Sequence, residues 1–217
     1  MKKMRITAIF MCLLWVLNLT GCGFAGTTYK DYVNAVLDAS YHNNYTAYRD
    51  MTLCSTLDAE LLFAIEETTL SERIRNYYGI KSDMISQDTI QLYDKLAEEI
   101  LKKTKYTVRE VLKTGEAYQV TLIISPIDFW EQSESKIKDY YENEFTPKYE
   151  QAPTQEKADK LEEVYAKQVY NILNQCMKNL DYLTPVEYNF TIGTGEYAVT
   201  GEIWKEIDSL LLAYSIS

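Results

Sequence analysis

Apolar residues along this chain switch between the period of a helix and the period of a strand, which limits the folds open to it. Apolar and mostly polar side chains alternate from Tyr118 to Ser125, as in a strand with one buried face. Tyr106 to Leu112 supplies a partner strand, and Lys113 to Glu116 between them is turn material. We therefore predict an antiparallel hairpin, which Pro126 ends because proline donates no backbone hydrogen bond.

A second hairpin is predicted near the C-terminus. Alternation returns from Val186 to Ile192, and Gly193 to Gly195 then turns the chain into a weaker strand at Glu196 to Val199. Two hairpins separated by helices, after a helical N-terminal third, predict an α+β fold. In it, helices pack on a small antiparallel sheet built from the two hairpins.

Helical spacing of apolar residues accounts for the rest of the chain. Ser55 and Asp58 form a capping box for one helix, whose inward residues are predicted to be Leu57, Leu61, Leu62 and Ile65. Ser82 is predicted to cap the next helix. The predicted helical segments are Tyr29–Tyr41, a turn or two around Tyr45 and Tyr48, Ser55–Gly79, Ser82–Lys105, Phe129–Glu144, Thr154–Thr184 and Ile203–Tyr214.

The first 21 residues have the three parts of a bacterial signal peptide. Positive charges at Lys2, Lys3 and Arg5 precede the apolar stretch from Ile6 to Leu17, and small residues follow. Because a membrane-spanning helix needs roughly 20 apolar residues, a stretch of 12 predicts a cleaved leader and no permanent span.

Leu19, Thr20, Gly21 and Cys22 resemble the lipobox of bacterial lipoproteins. The resemblance implies that Cys22 receives a diacylglycerol and becomes the first residue of the mature chain. Residues 22–28 would then form a lipidated tether of about 20 Å, and residues 29–217 a single extracytoplasmic domain held at the membrane. The alternative is an ordinary secretory leader with a chance cysteine near its end.

The charge of the mature chain argues against nucleic acid as a partner. Removing the leader takes away three positive charges, so the net charge changes from −10 to −13. An acidic surface repels phosphate backbones and also disfavours lying flat on anionic lipid. The remaining 196 residues suit one domain with a sufficient hydrophobic core.

Two cysteines, Cys54 and Cys176, remain after the leader is removed and Cys22 is lipidated. An exported protein can join them in a disulfide. The alternative, which we favour, is a pair of buried thiols that act as small apolar residues, because Cys176 lies on the apolar stripe of a helix.

The sequence lacks the residues that zinc sites and phosphate-binding loops require. His42 is the only histidine, so a usual zinc site cannot be assembled, and phosphate-binding glycine loops are absent. No cofactor is expected. Acidic pairs on the predicted helices are interpreted as solvated faces, since neighbouring helical carboxylates do not oppose each other across a cleft. These pairs are Glu66 with Glu67, Glu98 with Glu99, Glu142 with Glu144, and Glu162 with Glu163.

Tyrosine is the unusual element of the composition, at 19 of 217 residues. The pairs Tyr77–Tyr78 and Tyr140–Tyr141, with Trp130 and Asp128, could form a binding surface, because aromatic rings give a large rigid contact area. The competing interpretation is that most tyrosines fill the edge of the core and direct their hydroxyls outward.

Three segments, Asp31–Tyr41, Lys103–Val108 and Ser125–Trp130, together with the leader, resemble a family of small Gram-positive lipoproteins that carry a domain of unknown function. The resemblance covers nearly the whole mature region and transfers no catalytic residue. It implies export and anchoring on the outer face of a Gram-positive membrane. Asn43–Asn44 departs from the Gly-acidic turn expected in relatives, which affects only a loop.

By elimination, the expected function is that of a lipid-anchored binding module of the cell envelope. Its partner would be an envelope protein, a peptide or a cell-wall component, held in a tyrosine-lined cleft between helices and sheet. The alternative is a cell-envelope hydrolase that uses carboxylates. Asp128 would be its first candidate residue, because it follows a strand and Pro126.

Overall fold

The computed structural model describes residues 29–193 and 201–213 of the chain. Four helices come first: α1 Tyr29–Tyr41, α2 Thr46–Thr52, α3 Thr56–Tyr77 and α4 Gln87–Leu101. Strands β1 Lys105–Thr114, β2 Ala117–Ser125 and β3 Ile127–Asp128 follow. Next come α5 Trp130–Tyr140, a π-helical turn Tyr141–Phe145, α6 Thr146–Glu150 and α7 Gln155–Lys178. The described chain ends with β4 Asp181–Tyr182, β5 Val186–Gly193 and α8 Gly201–Leu212.

The predicted α+β fold is confirmed. Strands β1, β2 and β5 form an antiparallel sheet with β2 in the centre, and β3 pairs with β4 in a separate two-stranded ladder. The first predicted hairpin is present as β1 and β2. The predicted strand at Glu196 to Val199 lies outside the described residues. Strand β5 pairs with β2.

One hydrophobic cluster joins the helices to the sheet. Helices α1 and α8 contact the sheet through β1 and β2 respectively. Helix α4 packs against both α3 and α7, and α5 packs on α7. Large side chains buried at the centre of this cluster include Tyr41, Tyr93, Phe129, Leu122 and Ile124.

The helix starts follow local capping chemistry, with one correction. The Ser55 hydroxyl accepts a hydrogen bond from the Asp58 backbone N–H, which confirms the predicted capping box. Ser82 does not cap the next helix. That helix begins later, and its cap is Ser86, whose hydroxyl accepts from the Thr89 N–H.

The predicted inward face of α3 is also wrong at its start. Leu57 is 67% exposed, whereas Ala59, Phe63, Leu70 and Ile74 are buried. The buried face depends on how α1 and α4 flank this helix. The helix has little apolar asymmetry of its own to specify that face.

Candidate functional site

A groove of about 750 Å³ lies among helices at one end of α3. We call it the tyrosine groove, because Tyr77, Tyr78, Tyr141, Tyr149 and Tyr165 line it. Its walls come from the end of α3, from α5 and the π turn, and from α6 and α7. The cleft was predicted between helices and sheet, but no residue of the sheet lines this groove.

Local geometry places the tyrosines of α3 at the groove. The helix ends at Tyr77, and Gly79 then takes a φ of +69°, a conformation that glycine adopts without a steric penalty. The Gly79 N–H donates to the Asn76 carbonyl and the Ile80 N–H to the Arg75 carbonyl, closing the helix end. Tyr77 and Tyr78 are thereby held beside α5 and α7.

The π turn brings aromatic residues from the other side. Tyr141 and Phe145 bracket this turn, and both rings contact the buried ring of Tyr165, at centroid distances of 5.7 and 4.6 Å. Tyr140 stacks on Tyr165 at 6.2 Å but does not line the groove. Of the second predicted tyrosine pair, therefore, only Tyr141 faces it.

Internal hydrogen bonds hold two of the groove tyrosines in place. The Tyr165 hydroxyl donates to the Tyr78 carbonyl at 2.9 Å, and the Tyr78 hydroxyl lies 2.7 Å from the Ser133 hydroxyl. Burial raises the pKa of Tyr165, so this residue stays neutral at physiological pH. These two residues form a fixed floor that requires no bound ligand.

Two other tyrosines are open to solvent. Tyr77 is 54% exposed and Tyr141 is 46% exposed. Trp130 supports Tyr77 from behind at a centroid distance of 5.1 Å, while its indole N–H donates to the Leu212 carbonyl. The structure thus places Trp130 in the packing beneath the groove, not on its lining.

The groove carries charges of both signs. Glu134, Glu150 and Glu162 line it together with Lys81 and Lys138. Glu162 is only 8% exposed, and burial raises the pKa of its carboxyl, while the charge of Lys81 acts in the opposite direction. A largely buried glutamate in an aromatic groove is a feature that the sequence interpretation missed.

Asp128 lies in a different part of the molecule. It belongs to β3, where Asp181 of β4 is its register partner, and it does not line the tyrosine groove. Its Oδ2 accepts a hydrogen bond from Gln132, whereas its buried Oδ1 has no partner among the described residues. A second acidic residue therefore does stand opposite Asp128, but outside the groove.

Some acidic pairs predicted to be solvated are not. Burial and the charge of Asp208 raise the pKa of Glu66 to about 8. Glu163 accepts hydrogen bonds from the Ser86 N–H and hydroxyl and from the Thr89 hydroxyl. The interpretation as solvated faces is therefore wrong for Glu66 and Glu163, which interact with residues distant in sequence, and Glu162 faces the groove with only 8% of its surface exposed.

His42 packs between the end of α1 and the start of β1. Its ring stacks on Tyr106 at 5.0 Å, and its Nε2 lies 3.0 Å from the Thr104 carbonyl. The Tyr106 hydroxyl donates to Asp38 at 2.6 Å. These contacts fasten the end of α1 to the start of β1.

Cys54 is half-buried and Cys176 is buried, and both are free thiols. The described residues contain no group of three or more His, Cys, Asp or Glu side chains placed to hold a metal ion. Within the same part of the chain, no helix is both long and apolar enough to cross a bilayer.

Together, the fold and the groove define an α+β domain with a pre-formed, aromatic-lined helical groove. Its structure is similar to the crystal structure of "a putative lipoprotein (ycdA)" from Bacillus subtilis subsp. subtilis str. 168, with a TM-score of 0.51 and 13% sequence identity. The match covers 84% of this chain and 55% of that one, so the chain spans about half the length of its structural neighbour. At this identity the likeness establishes a shared fold. No protein-family model and no curated protein matches the sequence.

Proposed function

We propose that this protein is a lipid-anchored binding module on the outer face of the cell membrane, and that the tyrosine groove is where it holds its partner. The observation that carries the proposal is the arrangement of exposed Tyr77 and Tyr141 around the fixed floor of Tyr78 and Tyr165. Pre-formed apolar concavities with a few polar groups are the usual form of a ligand site. Tyrosine suits such a site, because it contributes contact area with few rotatable bonds to immobilise.

The lipoprotein part of the proposal rests on two independent supports. The leader ends in a lipobox-like Leu19–Cys22 segment, and the structural neighbour carries the lipoprotein description. Neither support identifies the partner, which on the envelope surface would be a protein, a peptide or a cell-wall component.

Site-specific photo-crosslinking tests the proposal. The full chain would carry benzoylphenylalanine at position 141 in Gram-positive cells, and a matched protein would carry it at position 183. Leu183 is a suitable control because it is 42% exposed, close to the value for Tyr141, and lies outside the groove. We expect a discrete adduct from position 141 and none from position 183. Equal adducts at both positions, or none at either, would overturn the proposal.

A second candidate function, hydrolysis by carboxylates, is favoured by the position of Glu162. A raised carboxyl pKa inside a cleft is the property of a general acid, and Glu134 and Glu150 line the same groove. This candidate predicts that the protein releases soluble fragments from purified cell wall and that Glu162→Gln abolishes the release. The absence of release by the unaltered protein would dismiss it.

A further inference from the structure

Glu162 is a largely buried residue whose carboxylate faces the tyrosine groove. The residue is 8% exposed, lines the tyrosine groove, and makes no hydrogen bond or ion pair with any described residue. The charge of Lys81 lowers the pKa of Glu162, but the two side chains lie too far apart to form an ion pair. Among the described residues only Asp128 Oδ1 is a fully buried polar side-chain atom without a partner, so the Glu162 carboxylate opens to the water in the groove.

Glu163, the next residue of α7, has a carboxylate that is fully hydrogen-bonded and paired. Glu163 accepts hydrogen bonds at 2.7 to 2.9 Å from Thr89, from the Ser86 hydroxyl and from the Ser86 N–H, and it also pairs with Lys167 at 2.9 Å. Glu162 has none of these contacts, although it is the more buried of the two. The difference leaves the Glu162 carboxylate open to the groove, where a ligand can reach it.

The surroundings of Glu162 favour a cation. The exposed ring of Tyr141 lines the same groove, and the faces of aromatic rings attract ammonium and guanidinium groups. The charge of Glu162 contributes to the raised pKa of Tyr165, which shows that the two groups are close. Of the two lysines in the groove, Lys138 already lies 4.0 Å from Glu142. The other acidic lining residues, Glu134 and Glu150, add to the negative potential.

We propose that the tyrosine groove takes up a lysine or arginine side chain from an extended peptide segment of a partner protein. The cationic group would pair with the Glu162 carboxylate, with the exposed ring of Tyr141 beside it. A groove of about 750 Å³ is larger than a single side chain requires, so residues on either side of the basic one also fit. This inference rests on the proposed binding function and specifies the chemistry of its ligand.

Binding of a labelled peptide tests the inference. The probe is a fluorescein-labelled ten-residue peptide of alternating lysine and serine, and its matched control has every lysine acetylated. The acetylated peptide keeps the length of each side chain but loses its charge. Fluorescence anisotropy would be measured with the full chain in detergent micelles, at a fixed salt concentration near the physiological one, because salt screens exposed charges.

Glu156→Gln is the control for Glu162→Gln. Both substitutions remove one negative charge from α7, but Glu156 is 80% exposed at the start of the helix and pairs with Lys160. We expect Glu162→Gln to weaken binding of the lysine peptide about tenfold and Glu156→Gln less than about twofold. We expect the acetylated peptide to bind no better to the unaltered protein than the lysine peptide binds to Glu162→Gln. Thermal melting would verify the fold of both variants.

Two results would overturn the inference. Equal weakening by Glu156→Gln and Glu162→Gln would mean that the peptide responds only to the acidic surface as a whole. An undetectable affinity for the lysine peptide would exclude a basic side chain as the ligand. Failure of the binding function itself has a different signature, because the crosslink at position 141 would then be absent. A crosslinked glycan at that position would retain the groove as a binding site and overturn its assignment to a peptide.

Discussion

Glu66 places a carboxyl group where helices α1, α3 and α8 meet. Its neighbour Asp208 is 6% exposed, accepts a hydrogen bond from the Tyr41 hydroxyl at 2.6 Å and lies 3.7 Å from an Arg73 nitrogen. Burial raises the pKa of both carboxyls, and the charge of Asp208 contributes to the value of about 8 at Glu66. The folded state therefore retains protons here that an unfolded chain would release.

This position predicts a loss of stability as the pH rises. Between the ordinary pKa of 4.5 and the folded value of about 8, the folded state holds a proton at Glu66 that the unfolded state has lost. The free energy of unfolding should therefore fall by up to about 1.4 kcal/mol per pH unit across that window. Glu66→Gln should remove this contribution, so that the variant is the more stable protein at pH 8 and shows a flatter profile.

Urea unfolding between pH 5 and pH 8 would measure the effect at Glu66. Glu72→Gln is the control, because Glu72 is exposed on the same helix. A Glu66→Gln profile parallel to that of the unaltered protein would contradict the prediction.

The contacts of single residues in the candidate site were harder to predict from the sequence than the helices and strands that carry them. The sequence predicted a tyrosine surface, and Tyr77, Tyr78 and Tyr141 do line one groove. The contribution of Tyr165 was missed, because its place on the apolar stripe of α7 indicates only that it is buried. Glu162 and Glu163 are adjacent in sequence but differ completely in their contacts. Those contacts come from residues about 80 positions earlier in the chain, which helical periodicity cannot reveal.

The start of helix α4 depends on a side chain from helix α7. Glu163 accepts hydrogen bonds from the Ser86 N–H and hydroxyl and from the Thr89 hydroxyl. These groups lie at the N-terminal end of α4, where the helix dipole favours negative charge. Desolvation opposes ionisation of Glu163, but these hydrogen bonds and Lys167 outweigh it and hold its pKa at about 2. The contact fastens two helices of the core to each other.

Glu163→Gln should therefore destabilise the fold by about 1 kcal/mol at pH 7, a modest value because the side chain is 24% exposed and partly screened. The folded pKa lies below the ordinary 4.5, so the stabilisation is complete above pH 4.5 and is lost as the pH falls towards 2. Urea unfolding at pH 7 and pH 3 would show a smaller difference between the variant and the unaltered protein at pH 3. A difference that does not shrink at pH 3 would contradict the ionic part of this contact.

Elements were more predictable than residues. The capping box at Ser55, the hairpin of β1 and β2, and the long helix α7 all follow from local patterns that the sequence displays. The short ladder of β3 and β4 was not predicted, since two-residue strands carry no periodicity. The π turn was missed for a similar reason, because one irregular turn continues a helix without any breaking residue at Tyr141.

At the scale of the whole molecule, the order of strands in the sheet had to come from the structure. Strand β5 pairs with β2 across 60 intervening residues, a long-range choice that local periodicity does not specify. The sequence predicted correctly that helices cover one small antiparallel sheet. It did not predict that the groove would form entirely among helices, because the end of α3 and the π turn meet only in the folded molecule.

Lipidation of Cys22 would determine how the whole molecule attaches to the membrane. Two acyl chains on Cys22 would hold the protein stably, since each buried methylene contributes about 0.8 kcal/mol. The net charge of −13 after processing would keep the domain from lying on anionic lipid, so the anchor would be the only strong attachment. Cys22→Ala should abolish labelling by radioactive palmitate and move the protein out of the membrane fraction. Cys54→Ala, which removes a half-buried thiol of the folded domain, should change neither property. Palmitate labelling that survives Cys22→Ala would mean that another residue carries the lipid. Recovery of the unaltered protein in the cytosol would contradict a function at the cell envelope.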